Sequence, residues 1–179
     1  MAYINGKDGM YAPTWCVATQ DDIRRLIERT DTTFIVPKGI TKLGKYSLAW
    51  HGALQELIIP EGLTELDEYA LDGCSLATLR LPRTIKKIGL RAFNYSSLQI
   101  CEIPTDNLES VGQYAFNACK KLKVVRFLAN SQNRVPTIHG YTFYTNYTAF
   151  DIYVPWGEGE VAGAPWGCAL ATVHYNSVG

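Results

Sequence analysis

The sequence predicts a β-rich α/β solenoid: a short stack of five to six coils, with an N-terminal helical cap and a C-terminal helix–strand cap. Three observations carry this prediction. Pro37, Pro60, Pro82 and Pro104 recur every 22 or 23 residues, and a fixed period of that size marks stacked coils. Each proline ends a short apolar run: Phe34-Ile35-Val36, Leu57-Ile58-Ile59, Leu79-Arg80-Leu81 and Cys101-Glu102-Ile103. The positions after each proline repeat as well. Aliphatics come first at Ile40, Leu63, Ile85 and Leu108, then at Leu43, Leu66, Ile88 and Val111. Small–bulky pairs follow at Ser47-Leu48, Ala70-Leu71, Ala92-Phe93 and Ala115-Phe116, and leucines at 54, 76, 98 and 122 close the units.

Residues 1–32 read as the N-terminal cap. Thr19-Gln20-Asp21-Asp22 fits a capping box, with Thr19 as N-cap and Asp22 reaching back. Ile23, Leu26 and Ile27 form one apolar helical face opposite Arg24, Arg25, Glu28 and Arg29. Residues 33–155 read as the repeats. Successive side chains of a strand point to opposite faces, which sends Phe34/Val36, Leu57/Ile59, Leu79/Leu81, Cys101/Ile103, Val125/Phe127 and Ile152/Val154 inward. Proline has no donor for a ladder and ends the strand. The Ala-Phe segments are expected to return as a short helical turn. Gly44, Gly89 and Gly112 are expected to take backbone angles that other residues resist. A fifth, worn unit keeps Val125, Phe127, Val135, Ile138, Tyr141 and Phe143 around an insertion at Asn130–Arg134, and Ile152-Tyr153-Val154-Pro155 gives a sixth strand. Residues 156–179 read as the C-terminal cap, with a short helix around Glu158–Ala164 and a last strand over Ala171–Tyr175.

Composition removes several function classes. Seventeen basic and seventeen acidic residues cancel, leaving no electrostatic footprint for nucleic acid or an anionic membrane. No apolar run has the length of a membrane span. The N-terminus lacks the basic and apolar regions of a secretory signal, so folding in a bacterial cytoplasm is the expectation. Five cysteines without CxxC pairs argue against a disulfide framework or a structural zinc site. His51, His139 and His174 show no metal-ligand spacing, and no nucleophile or phosphate-loop motif is present. Neither an enzyme nor a cofactor or metal is expected.

The Ile59-Pro60 strand end, the Ile88-Gly89 step, the Ala92-Phe93 and Ala115-Phe116 pairs, Cys119 and Leu122 together resemble the BspA-like, or Treponema-type, leucine-rich repeat. The resemblance covers Thr33 to Pro155 and implies a non-catalytic binding scaffold, with many members at the bacterial surface. The run Pro155-Trp156-Gly157-Glu158-Gly159 to Pro165-Trp166-Gly167, with its His174-Tyr175-Asn176 end, is similar to tails of short phage and prophage repeat proteins of gut Firmicutes. Ile4-Asn5-Gly6-Lys7 is similar to the start of such proteins.

The candidate binding residues are the outward strand column, Ile35, Ile58, Arg80, Glu102, Arg126 and Tyr153. Apolar surface with Arg and Tyr anchors is what protein interfaces favour. Tyr141, Tyr144 and Tyr147 form a second candidate, a tyrosine-rich binding loop suited to a surface glycan, as Trp156 and Trp166 would be if exposed. Charges that align between units (Glu61 with Arg83, Glu65 with Lys87, Glu102 with Arg80) read mainly as register pairs. The leading expectation is a phage virion component (tail, fibre or head decoration) attached to another virion protein or to the host surface, with oligomerisation compatible. The alternatives are a bacterial surface adhesion protein and an intracellular repeat protein that binds a host factor.

Overall fold

The computed structural model describes residues 3–4, 7–8, 16–129 and 134–177. The insertion expected at Asn130–Arg134 lies outside these residues except for Arg134, as do Asn5 and Gly6. In chain order the elements are β1 (Tyr3–Ile4), β2 (Lys7–Asp8), β3 (Val17–Ala18), α1 (Gln20–Leu26), β4 (Thr33–Ile35), β5 (Lys42–Leu43), β6 (Glu56–Ile58), β7 (Glu65–Leu66), β8 (Thr78–Arg80), β9 (Lys87–Ile88), β10 (Ile100–Pro104), β11 (Ser110–Val111), β12 (Val124–Leu128), β13 (Thr137–Ile138), β14 (Phe150–Tyr153) and β15 (Ala171–His174). Each coil carries one longer strand, one two-residue strand and a turn segment, so the stack has three sides.

Side A is built from the longer strands. β8, β10, β12, β14 and β15 form one sheet, and β4 with β6 a second. All pairs are parallel, with each outward residue beside its repeat equivalent: Glu102 beside Arg80 and Arg126, Tyr153 beside Arg126 and His174. β15, expected as part of a cap, is itself a rung, so side A has seven strands where the sequence pattern gives six. Side B is continuous: β3, β5, β7, β9, β11 and β13 pair in parallel, with β3 starting the stack before the first proline unit.

Side C departs from the expected helical turn. Alternate amides donate to the next coil: Tyr46, Leu48 and Trp50 to the carbonyls of Glu68, Ala70 and Asp72, and Arg91, Phe93 and Tyr95 to those of Gln113, Ala115 and Asn117. The amides between them, such as Ser47, Ala49, Ala92 and Asn94, close single turns onto the carbonyl three residues earlier. Left-handed residues make this possible. Tyr46, Trp50, Tyr69, Arg91, Tyr95, Tyr114 and Ala118 have φ between 53° and 59°. Each such residue costs about 1 kcal/mol or more, offset here by a third inter-coil ladder that satisfies buried amides. The helix expected around Glu158–Ala164 is likewise replaced by turns, and α1 is the one helix among the described residues.

Gly44, Gly89 and Gly112 are glycines for a different reason from the one expected. None has a left-handed φ. A Cβ on Gly89 would sit 2.7 Å from the Asp67 carbonyl carbon, and one on Gly112 would sit 2.8 Å from that of Gly89. Close approach between coils, not backbone angle, excludes a side chain. Gly112→Ala is therefore expected to lose about 1–3 kcal/mol through overpacking. Gly52→Ala, where a Cβ meets nothing within 4 Å, should stay within about 0.5 kcal/mol of the parent. Urea unfolding of both checks this; equal midpoints would refute it.

The core lies inside the three sides. Of the strand residues predicted inward, all are buried except Ile59, which is partly exposed beside β8. α1 closes the first coil as predicted: Thr19 accepts from the Asp22 amide at 3.2 Å, Asp22 accepts from the Thr19 amide at 3.0 Å, and Ile23 and Ile27 are buried. His51 Nε2 donates to the Glu28 carbonyl at 2.9 Å, tying the cap to the first turn segment.

Candidate binding surfaces

The outward column assembles as a row along side A, because parallel in-register pairing repeats each position at the strand spacing of about 4.8 Å. Ile35 lies beside Ile58. Arg80 meets the Glu102 carboxylate at 3.6 Å. The Arg126 guanidinium stands 5.4 Å over the Tyr153 ring, and Tyr153 stacks on His174 at 4.4 Å, whose Nε2 is 2.8 Å from Asp151. Ile58, 43% exposed, is the one strongly exposed aliphatic of the row. Side A is thus apolar at its N-terminal end and mixed aromatic and ionic at its C-terminal end.

A seam divides these two regions. No backbone hydrogen bond joins β6 to β8, although every other neighbouring pair on side A is bonded. A groove of about 570 Å³ opens there, bordered by Ile58, Ile59, Glu61, Arg80, Ile100 and Glu102. Side B does not part at the same level: Glu65 and Leu66 pair with Lys87 and Ile88. The groove is therefore a one-sided opening in the sheet, with walls of mixed polarity and both signs of charge at its rim.

Charge alignment between coils partly follows the expected pairs. Glu61 caps the Arg83 and Thr84 amides at 3.1 and 3.2 Å and makes no ion pair with the Arg83 side chain. Glu65, in register with Lys87, is instead paired with Lys42 at 2.9 Å. Lys42 also meets Asp67 at 2.8 Å. Burial pushes the Asp67 carboxyl up, but the hydrogen bond from Lys42 and the Glu68 amide outweigh it and hold Asp67 below its usual range.

Trp156 and Trp166 are fully buried and unavailable to a ligand. Tyr141, Tyr144 and Tyr147 are exposed, by 50%, 45% and 70%. They continue a feature that the strand-based reading missed. Tyr46 and Tyr69 stack at 4.8 Å; Arg91 lies 5.7 Å from the Tyr69 ring and 5.2 Å from that of Tyr114; Tyr114 faces Tyr141 at 6.3 Å. Trp50 and Tyr95 form a parallel line at 6.4 Å. The signal was present as a repeat column, Tyr46, Tyr69, Arg91 and Tyr114, one residue before the small position.

Titratable chemistry is sparse. Among the described residues no group of three metal-ligating side chains converges. The five cysteines are free, and burial pushes the thiols of Cys74 and Cys119 up to about 12, leaving them as core residues. Two stretches, Asn94-Tyr95-Ser96 and Asn146-Tyr147-Thr148, have the form of a glycosylation sequon, and the asparagine of each is buried. Asn94 is buried between Asp72 and Asn117, and Asn146 donates to the Phe116 and Phe143 carbonyls. Among the described residues no helix is long and apolar enough to cross a membrane.

A crystal structure of a leucine-rich repeat protein from Eubacterium ventriosum is similar in fold, with a TM-score of 0.50 at 18% identity over 69% of this chain and 37% of that one. A leucine-rich cell surface protein from Faecalibacterium prausnitzii aligns with a TM-score of 0.38 at 13% identity, over 81% of this chain and 60% of that one. The chain thus spans less than two thirds of the length of either structure. No curated protein matches it in sequence. Residues 31–155 match the model of the BspA-type leucine-rich repeat region in six copies, and with the stacked, proline-punctuated coils described above this places the chain in the BspA-type leucine-rich repeat family.

Proposed function

We propose that the chain is a non-catalytic protein-binding repeat module that presents side A to a protein partner, displayed at the bacterial surface. Family membership supports a binding or surface role. The observation that carries the choice of surface is the side A seam: a groove that sets the apolar Ile58, Ile59 and Ile100 beside Arg80, in line with Glu102, Arg126 and Tyr153. Interfaces concentrate their energy in a few such apolar, Arg and Tyr contacts around a pocket.

The second reading is a phage virion component, favoured by the likeness of the Pro155–Asn176 tail to phage-encoded repeat proteins. Proteolytic shaving of intact cells of the native bacterium should release peptides of this chain under the surface reading. Mass spectrometry that finds the chain in purified particles, with none released from cells, would select the virion reading. The surface itself is tested on the partner cross-linked to the native protein. Ile58→Asp with Arg80→Glu, and separately Arg126→Glu with Tyr153→Ala, are each expected to weaken affinity about ten-fold or more. Unchanged affinity in both would put the interface on another side.

A further inference from the structure

We propose that side C is a second binding surface, specific for a linear polysaccharide whose pyranose rings stack on Trp50 and Tyr95. Trp50, Gly73 and Tyr95 occupy one left-handed position in three successive coils, with φ of 59°, 65° and 55°. A Cβ on Gly73 would lie 2.4–2.8 Å from indole carbons Cε3, Cδ2 and Cζ3 of Trp50. The indole therefore lies flat on the glycine, one face against the backbone, and with 57% of the residue exposed its other face is open to solvent. Tyr95, 56% exposed, sits beyond it with its ring inclined by 29° and its centre 6.4 Å away. Two open rings are held at fixed positions along the solenoid axis.

What the surface lacks identifies the ligand. Of the exposed large apolar residues, the aliphatics Val17, Ile58 and Leu170 belong to β3, to side A and to the C-terminal turns. The rings of Tyr46, Trp50, Tyr95, Tyr141, Tyr144 and Tyr147 belong to the side C segments and the turn that follows them. Protein interfaces mix aromatic anchors with aliphatic contacts around a packed centre. Ring faces with almost no aliphatic neighbours suit the C–H face of a sugar, and hydroxyl-bearing tyrosines at the margin suit its equatorial oxygens. Arg91, held between Tyr69 and Tyr114 with Nη1 3.1 Å from the Tyr69 hydroxyl, forms no salt bridge with any described carboxylate. Trp50 and Tyr95 stand two coils apart on one line along the solenoid axis, which Ala118 and Thr145 continue without a ring, so the platform spans consecutive rings of a chain in place of a single sugar.

The test is affinity electrophoresis of the full chain through gels containing, in turn, a soluble β-glucan, xylan, galactomannan, chitosan and solubilised peptidoglycan glycan strands. At least one is expected to retard the protein. Trp50→Ala and Tyr95→Ala should each weaken that retardation about ten-fold, Trp50→Phe should restore most of it, and the side A variant Ile58→Asp should leave it unchanged. Thermal melts confirm that each variant is folded. No retardation in any gel, or equal retardation of Trp50→Ala and the parent, overturns the proposal. Loss of a protein partner on Trp50→Ala without any polysaccharide binding overturns it in favour of a protein interface on side C.

Discussion

Phe116→Ala is expected to destabilise the protein by about 3–5 kcal/mol, the range for removing a fully buried aromatic ring. Phe116 is 0% exposed and sits in the middle of a column of rings, 4.9 Å from Phe93 and 5.3 Å from Phe143, inclined by 20° and 18°. The column is a direct product of the stack. Inter-coil hydrogen bonds on side C fix the rise from one coil to the next, with the Phe93 amide donating to the Ala115 carbonyl and the Phe116 amide to that of Thr142. Each ring must therefore cover its neighbour. Neither backbone can close on the vacancy, because side B on one flank and the side C ladder on the other hold the spacing. The cavity term should stay near its full size. Against a total stability of about 5–15 kcal/mol, the variant should lose a large part of its urea midpoint. Phe116→Leu, which restores the residue type found at Leu48 and Leu71, should recover most of the loss. A deficit for Phe116→Ala below about 1 kcal/mol, at the size of an average surface change, would mean that the coils relax as independent units.

The sequence made sides A and B readable because their information is local. Alternation along Phe34-Ile35-Val36 or Cys101-Glu102-Ile103 assigns a face to each side chain, and the proline spacing sets the register that brings Arg80 beside Glu102. Two features are not local. The seam between β6 and β8 is a relation between coils. Leu57-Ile58-Ile59 reads as regular as any other run, and Ile59 differs only because its neighbouring strand stands off. Side C was misread as helical because Tyr-Ala-Leu or Tyr-Ala-Phe gives no hint of a positive φ at the tyrosine. The available clue was Gly73, a glycine in the column that elsewhere holds Trp50 and Tyr95, since glycine marks left-handed positions most cheaply. Gly44, Gly89 and Gly112 pointed the other way. Their spacing was legible and their cause was not, because a close backbone approach leaves the same residue in the sequence as an unusual angle. The candidate residues themselves were legible as positions; their division into an apolar end, a groove and an ionic end required the three-dimensional stack.

Trp166→Ala is expected to cost about 3–5 kcal/mol as well, but to act differently, by opening the C-terminal end of the stack. Trp166 is fully buried, lies 6.1 Å from Phe143 and 6.4 Å from Phe127, and its indole N–H donates to the Ala162 carbonyl at 3.0 Å. Its own carbonyl accepts from the Phe143 amide at 3.1 Å. The ring therefore covers the last aromatic layer while its backbone ends the side C ladder. A repeat stack is stabilised coil by coil through nearest-neighbour interfaces, and an uncovered terminal layer frays before the interior does. Hydrogen exchange should show this directly: in Trp166→Ala the amides of β14 and β15 lose protection first, while those of β6 to β10 keep theirs at low denaturant. Phe116→Ala, which breaks the middle, should instead lower protection on both flanks together. Uniform loss in Trp166→Ala would mean that the seven rungs unfold as one cooperative unit, and that the ring contributes bulk to a shared core without closing its end.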